Sequence, residues 1–97
     1  MIEHIVLIRF KNELSNAQLD ELIQKTLSLK DYIPGIIDIQ QGRNFSTRSK
    51  GYEIALTARF TDRAALENYL PHPKHQEILA SLKELGLEDT IVVDFEI

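Results

Sequence analysis

The order in which the hydrophobic periodicity changes is the feature that most constrains the fold of this chain. Apolar residues alternate with a period of two in four segments and follow helical spacing in two regions between them. The predicted strands are 2–10, 36–45, 52–60 and 90–97. The helical regions follow the first and third strands, which gives the order β-α-β-β-α-β. This order predicts the ferredoxin-like α+β fold, an antiparallel sheet with both helices on one face.

Local signals set the bounds of the first helix. Ser15 is the predicted N-cap, and Gln18 follows it by three residues in the pattern of a capping box. Apolar residues then recur at helical spacing through Leu29, while Asp20 and its charged neighbours fall on the solvated face. The helix should end before Pro34, because proline cannot continue a helix.

Prolines divide the second helical region. Thr61 or Asp62 can cap a short helix that carries Tyr69. Two prolines then interrupt this helix, because proline disfavours the helical conformation of the residue before it. Pro73 suits the first turn of a new helix, which should stop at Gly86.

Composition narrows the class of protein. The 97 residues suffice for one domain, 1–97, and 43% hydrophobic with 27% charged residues is typical of globular proteins. The longest aliphatic run, residues 5–8, is far too short to span a membrane. The 11 basic residues are scattered among 15 acidic ones, so no basic patch exists and nucleic acid is not an expected partner.

The sequence also limits redox chemistry and targeting. The chain has no cysteine, which excludes disulfides, thiol catalysis and zinc–thiolate sites. Residues 1–4 have neither a basic region nor a small-residue cleavage site, so no signal peptide is expected. Without a signal peptide we expect a cytoplasmic protein, and without an apolar run long enough to span a bilayer we expect no membrane partner.

Both faces of the first strand carry aliphatic residues, although two helices can cover only one face of the sheet. The uncovered face is expected to carry Ile5, Leu7, Ile37 or Ile39, and Val92. Such a face needs a partner, and a second copy of the chain is the simplest one. The pattern therefore predicts a homodimer through the sheet face opposite the helices.

Three histidines, His4, His72 and His75, are candidate reactive groups. His4 interrupts an apolar stripe, so it is either a core histidine bonded to a neighbouring carbonyl or a polar group that orients a ligand. His72 and His75 can share a helix face, but a metal would need a further ligand such as a carboxylate or His4. His72, between two prolines, can instead point outward as a cap residue. No metal site is therefore predicted.

Tyr69 and His75 form the most informative pair. With Pro73 opening a helix, His75 lies in the first turn, where the positive end of the helix dipole disfavours imidazolium. A neutral imidazole can act as a general base, and the Tyr69 hydroxyl can donate to a developing oxyanion. Facing an apolar cavity, the pair suits proton abstraction next to a carbonyl. On spacing alone, the simpler interpretation is that Tyr69 is a core aromatic with its hydroxyl at the rim.

Several short motifs resemble those of one known family. The most specific is Tyr-x-x-His-Pro-x-His at residues 69–75. The other matching segments are 4–11, 33–36, 42–44, 51–52 and 93–96. Together, from residue 2 to about residue 96, they resemble the stress-responsive dimeric α/β-barrel family, often called the Dabb domain.

This resemblance implies a homodimer in which two sheets pack face to face and close an α/β barrel. It also implies a hollow between each sheet and its own helices. In a polyketide cyclase of the family, the tyrosine and the final histidine of the motif form the catalytic pair, here Tyr69 and His75. By the same resemblance, the substrate-binding residues are His4, Val6, Leu22, Ile23, Thr26, Ile54 and Leu56.

Two departures from that cyclase change the expected pocket. Ile54 stands in place of a further histidine on the third strand, and Ile23 and Thr26 replace aromatic residues of the first helix. The shape and polarity of the pocket therefore differ, and the substrate of the cyclase is not carried over.

Two main functions follow from the resemblance. One is a cofactor-independent enzyme with cyclase- or lyase-like proton transfer on an apolar, carbonyl-bearing small molecule. The other is a non-catalytic ligand-binding or stress-protection protein whose pocket holds a small apolar molecule. A third, less favoured by the motif, is a monooxygenase of the related small dimeric barrels, which oxidise electron-rich aromatics without a cofactor.

Overall fold

The computed structural model describes residues 1–97, and its elements follow the predicted order with the second helical region in two pieces. They are β1 (Ile2–Phe10), α1 (Asn16–Tyr32), β2 (Ile36–Arg43), β3 (Ile54–Phe60), α2 (Arg63–Tyr69), α3 (Pro73–Glu84) and β4 (Leu87–Glu96). The strands form one sheet in the order β2-β3-β1-β4, and all neighbouring strands are antiparallel. The helices pack on one face of this sheet, so the predicted ferredoxin-like fold is confirmed.

The strand bounds differ from the predicted ones at the β2–β3 hairpin and at both ends of β4, which stops at Glu96 rather than Ile97. β2 ends at Arg43 and β3 begins at Ile54, although the Asn44 N–H still donates to the Glu53 carbonyl at 2.6 Å beyond both ends. β4 begins before the predicted Thr90, because its first residues continue to pair with the end of β1 across an irregularity in the register. β1 has the predicted bounds.

The capping box at the start of α1 is confirmed. The Gln18 N–H donates to Ser15 Oγ at 3.1 Å, and the Ser15 N–H donates to Gln18 Oε1 at 2.9 Å. The helix ends at Tyr32, before Pro34 as predicted. Because the two hydrogen bonds satisfy exposed N–H groups at the helix start, α1 begins at a defined residue.

The position of α2 depends on a glycine in the turn after α1 and on the residue that caps α2. Gly35 adopts a φ of +90°, and a Cβ at this position would lie 2.5 Å from the Cβ of Ala65. Only glycine therefore allows the turn after α1 to pack this closely against α2. Of the two predicted caps, Asp62 takes the role, since its Oδ1 accepts from the Ala65 N–H at 2.8 Å.

The turn between α2 and α3 brings two predicted functional residues together. α2 ends at Tyr69, and α3 begins at Pro73 with His72 as its N-cap. His72 Nδ1 accepts from the Lys74 N–H at 3.1 Å, which is the cap role considered for this residue. His75 consequently lies in the first turn of α3, as predicted.

The hydrophobic core lies between the helices and the inner face of the sheet. α1 packs over β2 and against α3, while α3 also contacts β4. The core residues that are at most 2% exposed are Ile8, Leu22, Leu29, Ile33, Ile54, Ala58, Phe60 and Tyr69.

The outer face of the sheet, which the helices do not cover, is apolar along β1 and β4. Cross-strand register pairs Ile5 with Val93 and Leu7 with Ile91 on this face. Val93 is 44% exposed and Ile91 is 41% exposed, while Ile5 and Leu7 are half-buried. We call Ile5, Leu7, Ile91, Val93 and Phe95 the outer apolar face.

One residue expected on the outer face lies on the inner one. Val92 pairs with Val6 across β1 and β4, and cross-strand partners share a face, so the expectation for Val92 was wrong. Of the two alternatives on β2, Ile37 is the exposed one, whereas Ile39 is buried on the helix side.

Candidate active site

A cavity of about 210 Å³ lies between α3 and the inner face of the sheet. Val92 and Leu70 in its lining are 52% and 46% exposed, so the cavity opens between α3 and β4 and toward the α2–α3 turn. The apolar lining residues are Val6, Ile8, Leu56, Leu70, Ile78, Leu79, Leu82 and Val92. The polar lining residues are His4, Gln41, Tyr69, His75, Thr90 and Asp94.

Tyr69 supplies a protonated hydroxyl to this cavity. The residue is 2% exposed, and its ring makes edge contacts with the rings of Phe60 and His4 at centroid distances of 5.0 Å and 5.8 Å. Burial raises the pKa of Tyr69 to about 12, and neither a charge nor a hydrogen bond contributes to this shift. The hydroxyl therefore remains a hydrogen-bond donor at neutral pH.

His75 stands next to Tyr69 with one ring nitrogen already engaged. The two ring centroids are 4.2 Å apart, with the ring planes tilted by 38°. His75 Nδ1 lies 2.8 Å from the Leu70 carbonyl oxygen. Because a carbonyl oxygen can only accept, Nδ1 carries the proton, and in the neutral ring Nε2 holds the lone pair.

The environment of His75 favours this neutral form. Burial is the largest cause that lowers the pKa of His75 below its ordinary value. The hydrogen bond to the Leu70 carbonyl opposes the shift, and the nearby His4 and His72 lower the pKa further. The sequence predicted a disfavoured imidazolium from the helix dipole; the direction agrees, but desolvation is the main physical cause.

His4 is a buried imidazole that pairs with a carboxylate. It is 3% exposed, and its Nδ1 is hydrogen-bonded to Asp94 Oδ1. The sequence left open a core histidine bonded to a carbonyl or a polar group of a ligand pocket. The structure places His4 in the lining of the cavity, and its partner is a side-chain carboxylate.

The structure brings together five of the residues predicted for the site. His4, Val6, Leu56, Tyr69 and His75 all line the cavity. The remaining predicted substrate-binding residues, Leu22, Ile23, Thr26 and Ile54, do not line it.

Those remaining residues belong to the packed half of the core. Leu22 is 2% exposed, and Thr26 and Ile54 are completely buried, while Ile23 is half-buried and packs against the core. The physical reason is the position of α1, which lies over β2 and fills the space beneath it, whereas the cavity lies under α3.

Asp94 and Gln41 are polar lining residues that the sequence did not single out. Asp94 is the direct cross-strand partner of His4, so pairing β4 with β1 in the correct register would have found it. Gln41 follows Ile39 on the inner face of β2, and its Oε1 is buried without a hydrogen-bond partner in the chain. No sequence pattern marked Gln41.

The arrangement of the histidines does not form a metal centre. Nδ1 of His72 caps α3, and Nδ1 of His75 donates to a carbonyl. No group of three or more His, Cys, Asp or Glu side chains is placed to hold a metal ion.

None of the three helices has the length and apolar character needed to cross a bilayer. The cytoplasmic location and the absence of a nucleic-acid partner stay predictions.

Comparison with known proteins agrees with this fold. The family model described as Stress responsive A/B Barrel Domain matches residues 2–97. Olivetolic acid cyclase of Cannabis sativa is 26% identical over 76 residues, which cover 76% of this chain and 75% of the cyclase.

Two solved structures share the fold over almost the whole chain. A dimeric ferredoxin-like protein from Jannaschia sp. is 29% identical with a TM-score of 0.81, covering 99% of this chain and 98% of its own. A hydroxynitrile lyase from Passiflora edulis is 24% identical with a TM-score of 0.83, covering 99% and 92%. With the family model matched from residue 2 to the last residue, this chain belongs to the stress-responsive A/B barrel (Dabb) domain family.

Proposed function

We propose that this protein is a cofactor-independent enzyme that transfers a proton on a small, carbonyl-bearing molecule. The observation that carries the proposal is the adjacent pair in an apolar cavity: the protonated Tyr69 hydroxyl and the neutral His75 imidazole, with ring centroids 4.2 Å apart. One group can donate to an oxygen while the other accepts a proton from the neighbouring carbon.

The proposed step conserves all atoms and charge. His75 Nε2 takes the proton from the carbon next to the carbonyl, and the electron pair of the broken C–H bond moves into the enolate. The Tyr69 hydroxyl donates a hydrogen bond to the enolate oxygen, where negative charge develops. The enolate carbon then either takes a proton back or attacks a second carbonyl, whose oxygen receives the proton held by His75.

The cavity limits the size and charge of the substrate. Its volume of about 210 Å³ lies below the roughly 300 Å³ at which pockets for drug-sized ligands begin. No Lys or Arg lines it, and Asp94 is its one acidic residue. An anionic substrate would therefore lack a counter-charge, which favours a small neutral ketone or aldehyde.

The names of two similar proteins support this class of reaction. One relative is an olivetolic acid cyclase, and one protein of the same fold is a hydroxynitrile lyase. Both Tyr69 and His75 occupy the motif that the cyclase of the family uses for catalysis. The substrate of this chain is nevertheless set by its own lining, in which aliphatic side chains predominate.

The first experiment measures deuterium incorporation next to the carbonyl of cyclohexanone in D₂O by NMR. We expect the protein to accelerate this exchange, and we expect Tyr69→Phe and His75→Ala each to reduce the rate about tenfold or more. Lys74→Ala is the matched control, because Lys74 belongs to the same turn but lies over the Tyr32 ring outside the cavity. Full activity in both variants would contradict the assigned roles.

A non-catalytic ligand-binding or stress-protection role is the second candidate. The observation in its favour is the largely aliphatic lining, which can hold an apolar molecule without any chemistry. Binding of cyclohexanone, seen as NMR shifts of the lining residues, with no deuterium incorporation for this or other neutral carbonyl compounds would favour this role.

We also propose that the protein is a homodimer through the outer apolar face. The support is the outer apolar face, whose β4 residues are exposed, and the dimeric state named for a protein that is 29% identical. Analytical ultracentrifugation should show a dimer at micromolar concentration, and Val93→Lys should shift it toward monomer. Glu84→Lys, a charge change at an exposed position of α3 on the opposite side of the sheet, is the control. A wild-type monomer would contradict the proposal.

A further inference from the structure

Asp94 borders two separate spaces. It lines the cavity together with His4, and it also lines a cleft of about 250 Å³ between α2 and β4, where Arg63, Glu67 and Glu96 are its charged neighbours. Its side chain is 40% exposed, whereas that of His4 is 4% exposed. The Asp94 carboxylate, which water can reach, is therefore hydrogen-bonded to a buried imidazole.

The fold holds this pair in one arrangement. His4 and Asp94 are opposite residues in the β1–β4 register, so both side chains are on the inner face of the sheet. The rings of Phe60 and Tyr69 contact the His4 ring edge-on, at centroid distances of 6.0 Å and 5.8 Å. The hydrogen bond to Asp94 is the one that the His4 side chain makes within the chain.

We propose that Asp94 is a positioning residue that fixes His4 with its proton on Nδ1 and presents Nε2 to the cavity. A carboxylate can only accept, so Nδ1 must be the donor of this hydrogen bond. The hydrogen bond that one imidazole nitrogen makes determines which nitrogen carries the proton, and so whether the other one can accept. Catalytic and metal-bound histidines are held in one tautomer in the same way. Neither the family match nor the motif at residues 69–75 includes this role.

The positioning has a consequence for the class of substrate, and this part rests on the proposed function. In the neutral ring, His4 Nε2 is an acceptor, as is Nε2 of His75, while Tyr69 is a donor. The cavity then matches a molecule that offers a hydroxyl donor beside its carbonyl group, because an unpaired polar group in an apolar cavity is costly. The favoured substrates are therefore small neutral hydroxycarbonyl compounds.

The first part of the test uses the free protein and needs no substrate. Long-range ¹H–¹⁵N NMR of the histidine side chains should show His4 as a single tautomer protonated on Nδ1. In Asp94→Ala the signals should shift toward a mixture of tautomers, and Glu96→Gln should leave them unchanged. Glu96 is the matched control, since it is on the same face of β4 but pairs with Arg63. An unchanged His4 tautomer in Asp94→Ala would overturn the proposal.

The second part compares hydroxyacetone with methoxyacetone, which lacks the hydroxyl donor. We expect wild-type kcat/KM for deuterium exchange to favour hydroxyacetone, and we expect Asp94→Ala to lose most of that preference. Asp94→Asn, which keeps an acceptor oxygen, should retain part of it and guards against a simple folding defect. An equal loss for both compounds would indicate a merely structural role and overturn the substrate assignment.

The two readouts separate the proposals. Absence of exchange with every ketone in the wild-type protein would contradict the proposed function, while the tautomer of His4 would still decide the role of Asp94. A changed tautomer together with an unchanged preference for hydroxyacetone would reject the substrate class alone.

Discussion

The two halves of the helix-covered sheet face are packed differently. Beneath α1 the side chains of Leu22, Thr26 and Ile54 are at most 2% exposed, and they fill the space between helix and sheet. Beneath α3 the same sheet leaves a cavity of about 210 Å³, and Val92 at its edge is 52% exposed. The strands alternate in the same way in both halves, so the covering helix makes the difference.

This contrast explains where the polar groups lie. His4, Tyr69 and His75 line the cavity beneath α3, where a ligand or water can reach their free hydrogen-bonding atoms. In a closed core, a polar atom without a partner costs free energy. Thr26 is the exception on the packed side, because its Oγ1 has no hydrogen-bond partner in the chain.

The largest effect is expected on the free energy of unfolding when one leucine from each half is truncated. Leu22→Ala should lower the free energy of unfolding by about 3 kcal/mol, because it empties a site in a tightly packed core. Leu79→Ala should cost about 1 kcal/mol, because Leu79 is half-buried and already borders empty space. Urea denaturation of both variants measures the difference, and equal losses would show that the cavity half is packed as tightly as the other.

The next prediction concerns the pH dependence of stability through His75. Its pKa is lowered in the folded protein from the ordinary 6.5, so below that pH the unfolded chain binds a proton that the folded chain binds less readily. Stability should therefore fall as the pH drops below about 6.5, until the lowered pKa is passed. His75→Gln should show a smaller fall in melting temperature between about pH 7.5 and about pH 5.5. An identical fall in the melting temperatures of the wild-type protein and His75→Gln would contradict a pKa of His75 lowered by burial.

A smaller effect is expected from removing the Tyr69 hydroxyl. Burial alone shifts its pKa, with no hydrogen bond involved, so Tyr69→Phe should change the free energy of unfolding by less than about 1 kcal/mol. Chemical denaturation checks this value alongside the activity assay. A loss well above that value would assign the hydroxyl to structure and weaken its proposed part in the reaction.

The smallest effect, and one of opposite sign, is expected at Thr26. Thr26→Val replaces an unpaired buried hydroxyl with a methyl group of the same shape, so stability should stay unchanged or rise by up to about 1 kcal/mol. Thr47→Val, at an exposed position between β2 and β3, is the control and should have little effect. A clear loss of stability in Thr26→Val would reveal a hydrogen bond that the packed half requires.

Local signals in the sequence predicted most of the fold. The alternation of β1, the capping box at Ser15 and the proline-bounded start of α3 each depend on neighbouring residues, and each is confirmed. The motif at residues 69–75 likewise brought Tyr69 and His75 together, because both belong to one short turn.

Features that depend on long-range packing were not predictable in the same way. The placement of Leu22, Thr26 and Ile54 outside the cavity depends on where α1 comes to lie across the sheet. The partnership of His4 with Asp94, and the inner position of Val92, depend on the register between the first and last strands. A one-residue error in that register reverses the face of every side chain in β4.

The location of the functional site under α3 is tested most directly by comparing His75→Ala with Leu22→Ala in the deuterium-exchange assay, with rates expressed per folded molecule. We expect His75→Ala to lose about tenfold or more of the wild-type rate, while Leu22→Ala, although less stable, keeps it. Loss of the rate in Leu22→Ala with full activity in His75→Ala would contradict this location and place the functional site under α1.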